Sequence, residues 1–470
     1  MNIKSKFIIL LFLIIHLISK GQEWQWVEKF GGNSYDLGRS ITTDRSQNIY
    51  IIGTFQNQAT FGKNIISSYG GSDIFVLKIN QNGKIILSKK IGGHLDDYGK
   101  FISTDKYGNF FITGSFQDTA YFDNSIIVSK GKSDAFLAKY NSEGLLIWVK
   151  KLGSSENGEG KSIYIDFSGN CYVTGNFSGS INCNNEVIKN KGKSDIFVTK
   201  IDKDGIQKWV RNFGYPGKNS GESISGDLSG NIFITGIVDS TIYSGNFTIS
   251  SIKSHNLERD IYISKYNSNG QLLWYKICGG QEDNRGLGIS NDSTGNCYVT
   301  GYFSGMAKFD TTEIYAVNGW DIFLAKFNTV GKLIWIVSEG GERHDYSSSV
   351  CNDKYGNCYI TGGFMKSIEF GKKKKKGNKG WNCFVAKYDT NGAFKWVESI
   401  ESNKDSYSYG ICMDVTGNCY ITGSFSNSVK FGSKKLNTKN DDIFVARLKT
   451  KISNSLFKSK KEKTKKQNKK

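Results

Sequence analysis

From residue 22 to residue 450 the chain is written in short runs of apolar and β-branched residues, each closed by Gly, Asn, Asp or Ser. The runs have strand length rather than helix length, as in Asn-Phe-Phe-Ile-Thr-Gly-Ser-Phe at 109–116. They recur as a unit. Each unit is anchored on a glycine, at Gly53, Gly114, Gly175, Gly236, Gly301, Gly362 and Gly423, with spacings of 61, 61, 61, 65, 61 and 61 residues. An Asp stands nine residues before every anchor, from Asp44 to Asp414, and an Asn five before, from Asn48 to Asn418. A fixed period of this size in a chain of short strands marks stacked or radially arranged repeats.

Each unit predicts four strands, near 99–105, 109–116, 134–141 and 145–152 in the second. The first turn reads Asp-x-x-Gly-Asn in six units, with Gln47 in place of glycine in the first. The last turn reads Asn/Asp-x-x-Gly, as at Asn141 to Gly144. An Asp or Asn opening a type I turn, with Gly in the left-handed position, makes a tight hairpin. The seventh unit stops after its third strand, Asp442 to Lys449, and the chain begins with the missing fourth: Trp24 to Gly32 matches the end of unit 2. Trp26 precedes Gly53 by 27 residues, as Trp148, Trp209, Trp274, Trp335 and Trp396 precede their own anchors; Leu87 fills this position once. Interchange with Leu points to packing between units rather than to ligand stacking. The fold class expected is all-β: a seven-bladed β-propeller of four-stranded antiparallel blades, its ring closed by the N-terminal strand, which supplies the outer strand of blade 7.

The segments Gly-Gly-Ser-Asp-Ile-Phe-Val at 70–76, Asp-Lys-Tyr-Gly-Asn-Cys-Tyr-Ile-Thr-Gly at 353–362 and Trp-Val-Lys-Lys-Leu-Gly at 148–153 resemble the SBBP type of β-propeller repeat of exported bacterial proteins, many of them from Bacteroidetes. The resemblance covers residues 22 to 450. It implies the fold and carries no uniform activity with it.

Charge adds appendages to this picture. The formal net charge is +19, yet most of it lies in three places: the first twenty residues, the run Lys372 to Lys376, and the last twenty residues, which hold nine Lys against Glu462. The propeller body is near neutral. Lys4 and Lys6 followed by the apolar run Phe7 to Ile18 and by Ser19-Lys20-Gly21 predict a signal peptide over 1–21. The domains expected are thus the leader 1–21, the propeller 22–450 and a disordered lysine-rich tail 451–470. The nine cysteines do not read as a disulfide framework. Cys171, Cys297, Cys358 and Cys419 share one repeat position with Ile49, Phe110 and Ile232, which marks a buried apolar site. A bridge among Cys351, Cys358 and Cys383 stays open as an alternative.

Chemistry is sparse. After the leader only His94, His255 and His344 remain, with no metal-ligand spacing and no nucleophile or phosphate-loop motif. No catalytic residue, cofactor or metal is expected. The second-to-third connections and the links between blades share one loop-rich face, the candidate binding surface. Its candidate ligand-binding residues are Asp36, Asp97, Glu159, Glu222, Asp283, Asp345, Asp405, Trp320 and Trp381. For the acids, capping of blade starts is the plainer reading. The function expected is an exported, monomeric, non-enzymatic binding or scaffold protein in the periplasm, on the cell surface or outside the cell, holding a protein or a glycan. The alternatives are a polysaccharide hydrolase or lyase with carboxylates at the channel mouth, and a structural envelope component or adhesin tethered by its tail. Lys372, Lys373, Lys374, Lys375, Lys376, Lys460, Lys461, Lys465 and Lys466 are the groups expected to meet an anionic surface: lipopolysaccharide, anionic lipid or nucleic acid.

Overall fold

The computed structural model describes residues 22–450 except 184–185, 215, 240, 245–246, 251–258 and 281, with 241–244 and 247–250 as backbone only. The expected leader and tail lie outside the described residues. Within them the chain is all β. Unit 5 shows the plan: Arg285–Asn291, Cys297–Phe309, Thr312–Phe327 and Leu333–Gly341 pair in sequence order, all antiparallel. The other units repeat it, with bounds within about one residue of those expected from the sequence in unit 2. In unit 7 the fourth place is taken by Glu23–Gly32, antiparallel to Lys434–Lys449 with Phe30 opposite Ile443 and Glu23 opposite Lys449.

The first strands of the seven units are Leu37–Thr43, Tyr98–Thr104, Gly158–Ile165, Ser220–Gly226, Arg285–Asn291, Asp345–Asn352 and Ser406–Met413. Each packs on the first strand of the next unit, and Ser406–Met413 packs on Leu37–Thr43. Between neighbouring units lie apolar layers; one joins Tyr50, Ile52, Ile74 and Val76 of unit 1 to Phe110, Ile112, Phe136 and Tyr140 of unit 2. The described cysteines are all unbridged, and those at the shared repeat position are fully buried among such side chains.

The repeat residues have local duties. Asp105 Oδ1 accepts the Tyr107 and Asn109 backbone N–H groups while Oδ2 accepts Asn109 Nδ2, which closes the turn. The turn glycines sit at φ near +80°, and Gln47 adopts φ +63° in the same place. A Cβ on any anchor glycine would collide with the first-strand carbonyl opposite, Tyr98 O for Gly114 and Arg285 O for Gly301. The tryptophans staple units together: Trp148, Trp209, Trp274 and Trp335 donate Nε1–H to the last-turn carbonyls of Lys203, Ser268, Thr329 and Thr390 in the following unit. Trp26 and Arg447 do the same to Gln81, joining unit 7 to unit 1.

One expectation is corrected. The second-to-third connections are not loops but β-hairpins: in units 1, 5, 6 and 7 both strands run on past a bulge and stay paired, as Ala59 with Ile66 and Phe61 with Asn64, and in units 2, 3 and 4 the hairpin is a separate pair of short strands. Five of the hairpins turn back over the junction and pair with the end of the preceding fourth strand: Gly32 with Ala59, Gly93 with Ala120, Gly280 with Ala307, Gly341 with Ile368, Ser402 with Val429. A buried Phe anchors each of these five. Phe61, Phe122, Phe309, Phe370 and Phe431 stand 4.9 to 5.3 Å, ring to ring, from the third-strand Phe75, Phe136, Phe323, Phe384 and Phe444. Lys372–Lys376 is correspondingly no appendage: Lys373–Lys376 pair with Phe370–Ser367 in one hairpin.

Candidate functional site

Every first strand carries one extra residue opposite its anchor glycine. The register slips between Gly38 and Ser40, Gly99 and Phe101, Gly160 and Ser162, Gly221 and Ser223, Gly286 and Gly288, Ser347 and Ser349, and Ser408 and Gly410. A bulge re-aims the side chain it inserts. The seven inserted residues, Arg39, Lys100, Lys161, Glu222, Leu287, Ser348 and Tyr409, all line one central cavity of about 360 Å³, together with Tyr346, Phe101 and several Ile and Ser residues.

The wall is ionic on one side. Lys100 Nζ lies 2.7 Å from Glu159, and Lys161 Nζ lies 2.7 Å from Glu222 and 3.7 Å from Glu159. Burial works against the Glu159 charge, but Lys161 and Lys100 outweigh it and hold the carboxyl below its ordinary range. The same pairs hold Lys161 above its usual value against burial. Burial, with Arg39 adding to it, leaves Lys100 below its own. The opposite side is aromatic: Tyr346 meets Trp381 at 5.1 Å, Trp381 meets Tyr407 at 6.1 Å, and Tyr407 stacks on Tyr409 at 6.1 Å. The Arg39 guanidinium lies 4.6 Å from the centre of the Tyr409 ring.

Of the acids singled out from the sequence, only Glu159 and Glu222 belong to this ionic wall. Asp36, Asp97 and Asp345 are fully buried at the starts of first strands. Asp97 accepts the Gly93 N–H at 2.6 Å and the Gln117 N–H at 3.2 Å, and Asp36 accepts those of Gly32 and Gln56. Asp36 and Asp97 thus cap backbone N–H groups inside the fold, and Asp345 shares their burial. Burial, helped by a neighbouring carboxylate (Asp442, Asp73 or Asp321), pushes them up to about 7, about 7 and about 9. Asp283 is spent on Arg285 at 3.0 Å and on the Tyr302 hydroxyl at 2.8 Å. Asp405 accepts the Trp381 backbone N–H at 2.8 Å.

Trp320 stacks on Tyr302 at 4.5 Å and contacts His344 at 4.6 Å. Trp381 supports the aromatic wall from behind Tyr346 and Tyr407. Lys372, Lys373, Lys374 and Lys376 are exposed on their hairpin and Lys375 is half-buried, so they stand on an outer rim away from the cavity. Lysines on a free strand edge also discourage strand addition. Lys460, Lys461, Lys465 and Lys466 lie outside the described residues. Among the described residues no group of three or more His, Cys, Asp or Glu is placed to hold a metal ion.

Arg39, Lys100, Lys161, Leu287, Ser348 and Tyr409 were missed from the sequence. A signal was present: fourteen residues before each anchor, a regular repeat changes from Arg to Lys to Glu to Leu to Ser to Tyr. A position held by no packing rule is free to face a ligand.

Antiparallel four-stranded units arranged around a shared cavity define the class, a β-propeller repeat protein. Residues 25–54 match the SBBP family, described as a beta-propeller repeat, and the SBBP resemblance is thereby shown. The chain is similar to an uncharacterized WD repeat-containing protein of Acanthamoeba polyphaga mimivirus, 22% identical over 86% of this chain and 36% of that protein. It is also similar to the regulatory protein FlaEY of Caulobacter vibrioides, 31% identical over 41% of this chain and 20% of that protein. The matched regions thus span little more than a third of these relatives at most. Solved structures similar to it include Sqt1 from Chaetomium thermophilum, at 9% identity, TM-score 0.46 and 85% and 97% of the two chains. A Bacteroides caccae protein of unknown function matches at 13% identity and TM-score 0.36, over 69% and 89%.

Proposed function

We propose that the seven units form a closed seven-bladed propeller, exported from the cell, that binds a glycan at the mouth of its central cavity without converting it. The observation that carries the reading is the cavity wall itself: it is built from a position where the units hold Arg, Lys, Glu, Leu, Ser and Tyr, and it is aromatic on one side and ionic on the other. Closure is supported by the N-terminal strand standing in for the missing fourth strand of unit 7, and by the Trp26 and Arg447 bonds to unit 1. Binding rather than hydrolysis is supported by the state of the wall acids. A general acid needs a carboxyl that keeps its proton near neutral pH, whereas Glu159 is held below its ordinary range and Glu222 is paired with Lys161. Export rests on the leader pattern, and the exposed lysine rim fits an anionic envelope surface.

A glycan microarray probed with the chain from residue 22 tests the reading, together with Tyr346→Ala and Tyr409→Ala. Retention on one or a few glycans, lost in both variants, is expected. Binding that survives both variants, or no retention on any glycan, overturns it.

A further inference from the structure

The charges in the central cavity do not balance. Arg39, Lys100 and Lys161 face Glu222, and Glu159 serves both lysines from the neighbouring register. The two acids are therefore consumed by the two lysines. Among the described residues Arg39 has no hydrogen bond and no ion pair to a carboxylate; its contact is with the Tyr409 ring at 4.6 Å. A guanidinium laid over a ring keeps the N–H groups of its edge free, and that planar fork matches a carboxylate in two parallel hydrogen bonds. Glu159 feels Arg39 only after Lys161 and Lys100, so this partly buried cation is under-compensated, and an incoming carboxylate relieves the cost. Beside it Tyr346 and Tyr409 offer ring faces and edges to a sugar ring, and the cavity volume of about 360 Å³ lies in the range of small-molecule sites.

We propose that this cavity takes a carboxylate-bearing sugar, a uronic acid residue of a glycan, with its carboxylate on Arg39 and its ring against Tyr409 and Tyr346. The inference rests on the glycan-binding reading above and names the sugar class. It assigns Arg39 a role no other position in the ring can fill. Lys100 and Lys161 are held by acids, and Leu287, Ser348 and Tyr409 carry no charge.

The test is isothermal titration of the chain from residue 22 with a trigalacturonate and with the neutral galactose trisaccharide, in the parent and in Arg39→Gln. The sister units hold Lys, Glu, Leu, Ser and Tyr at this position, so the variant is expected to fold; circular dichroism and the melting midpoint check it. The acidic sugar is expected to bind at least about tenfold more tightly than the neutral one, the gain of one charge-assisted contact. Arg39→Gln should remove that preference, bringing the acidic sugar to within about twofold of the neutral one. Equal affinities in the parent, or a preference that survives Arg39→Gln, overturn the acidic-sugar inference while the glycan-binding reading stands. Displacement of the trisaccharide by equimolar acetate overturns the sugar half and leaves an anion site. Failure of both sugars to bind, with the array also blank, overturns the binding reading and this inference with it.

Discussion

Replacing Asp97 by Asn should change the stability of this protein in opposite directions at low and high pH. In the fold the Asp97 carboxyl is held up to about 7 against an ordinary 3.8, by burial first and by Asp73 in addition, and against the pull of two backbone N–H bonds. The folded chain therefore keeps a proton that the unfolded chain releases. Below about pH 3 both states are neutral and the group costs nothing. Between about 4 and 7 stability falls as pH rises, because the unfolded state binds fewer protons, and above 7 the loss is complete. At 1.36 kcal/mol per pH unit over that window the full cost is about 4 kcal/mol. Units 4 and 5 already use Asn here. Asn219 accepts the Asp239 N–H at 3.1 Å and donates Nδ2–H to Ser194 O at 2.9 Å, and unit 2 offers the counterparts Gln117 N and Ser72 O. What the substitution gives up is the bond to Gly93 N, worth about 1 kcal/mol. The variant should thus be less stable by about 1 kcal/mol at pH 3, equal near pH 4.5, and more stable by about 3 kcal/mol at pH 8. Urea unfolding of both proteins at those three pH values measures it. Asp73, pushed up to about 6 by burial, titrates in both proteins, so the difference between them is the readout. If parent and variant lose stability in parallel from pH 3 to pH 8, Asp97 does not hold its proton in the fold and the reasoning fails.

Gln47→Gly should raise stability by about 1 kcal/mol, because a side chain at φ +63° pays for a left-handed backbone that the other six units give to glycine; urea midpoints check the sign. Trp274→Phe keeps most of the ring packing but loses the Nε1–H bond to Thr329 O, and should cost about 1 kcal/mol in the same assay. Removing residues 22–32 strips the strand paired with Lys434–Lys449 and with it buried Trp24 and Phe30, each worth about 3 to 5 kcal/mol. A truncated chain that melts within a degree or two of the parent would refute the closing role given to that strand.

Much of the architecture could be read in one dimension because a repeat exposes its own rules. The Asp, Asn and Gly of the first turn act over four residues, and a tight turn must place them at fixed offsets wherever it occurs. The same holds for the exchange of Cys with Ile or Phe at one position, which reports burial without any coordinates. Pairing of Trp24–Gly32 with the last strand was legible too, since a missing fourth strand at one end and a spare one at the other have a single arrangement that leaves no edge. The hairpin Phe recurs eight residues after the anchor in five of the seven units, with Cys183 and Ser244 in the others, but the segments around Phe61 and Phe122 also look polar enough for loops.

What the chain alone could not decide is where a side chain points once a strand departs from strict alternation. A single inserted residue in each first strand turns Arg39, Lys100, Lys161 and Tyr409 toward the centre, and nothing in their local sequence announces a bulge; it arises because a glycine on the neighbouring strand lets a carbonyl approach. Nor could it separate Asp97 from Glu159. Both are acids near the start of a first strand, at adjacent positions of the repeat, yet Asp97 faces the backbone amides of Gly93 and Gln117 while Glu159 faces Lys161 of its own unit and Lys100 of the preceding one. Lys100 lies about one repeat before Glu159 in sequence, and only the packing of unit against unit brings the two within 2.7 Å.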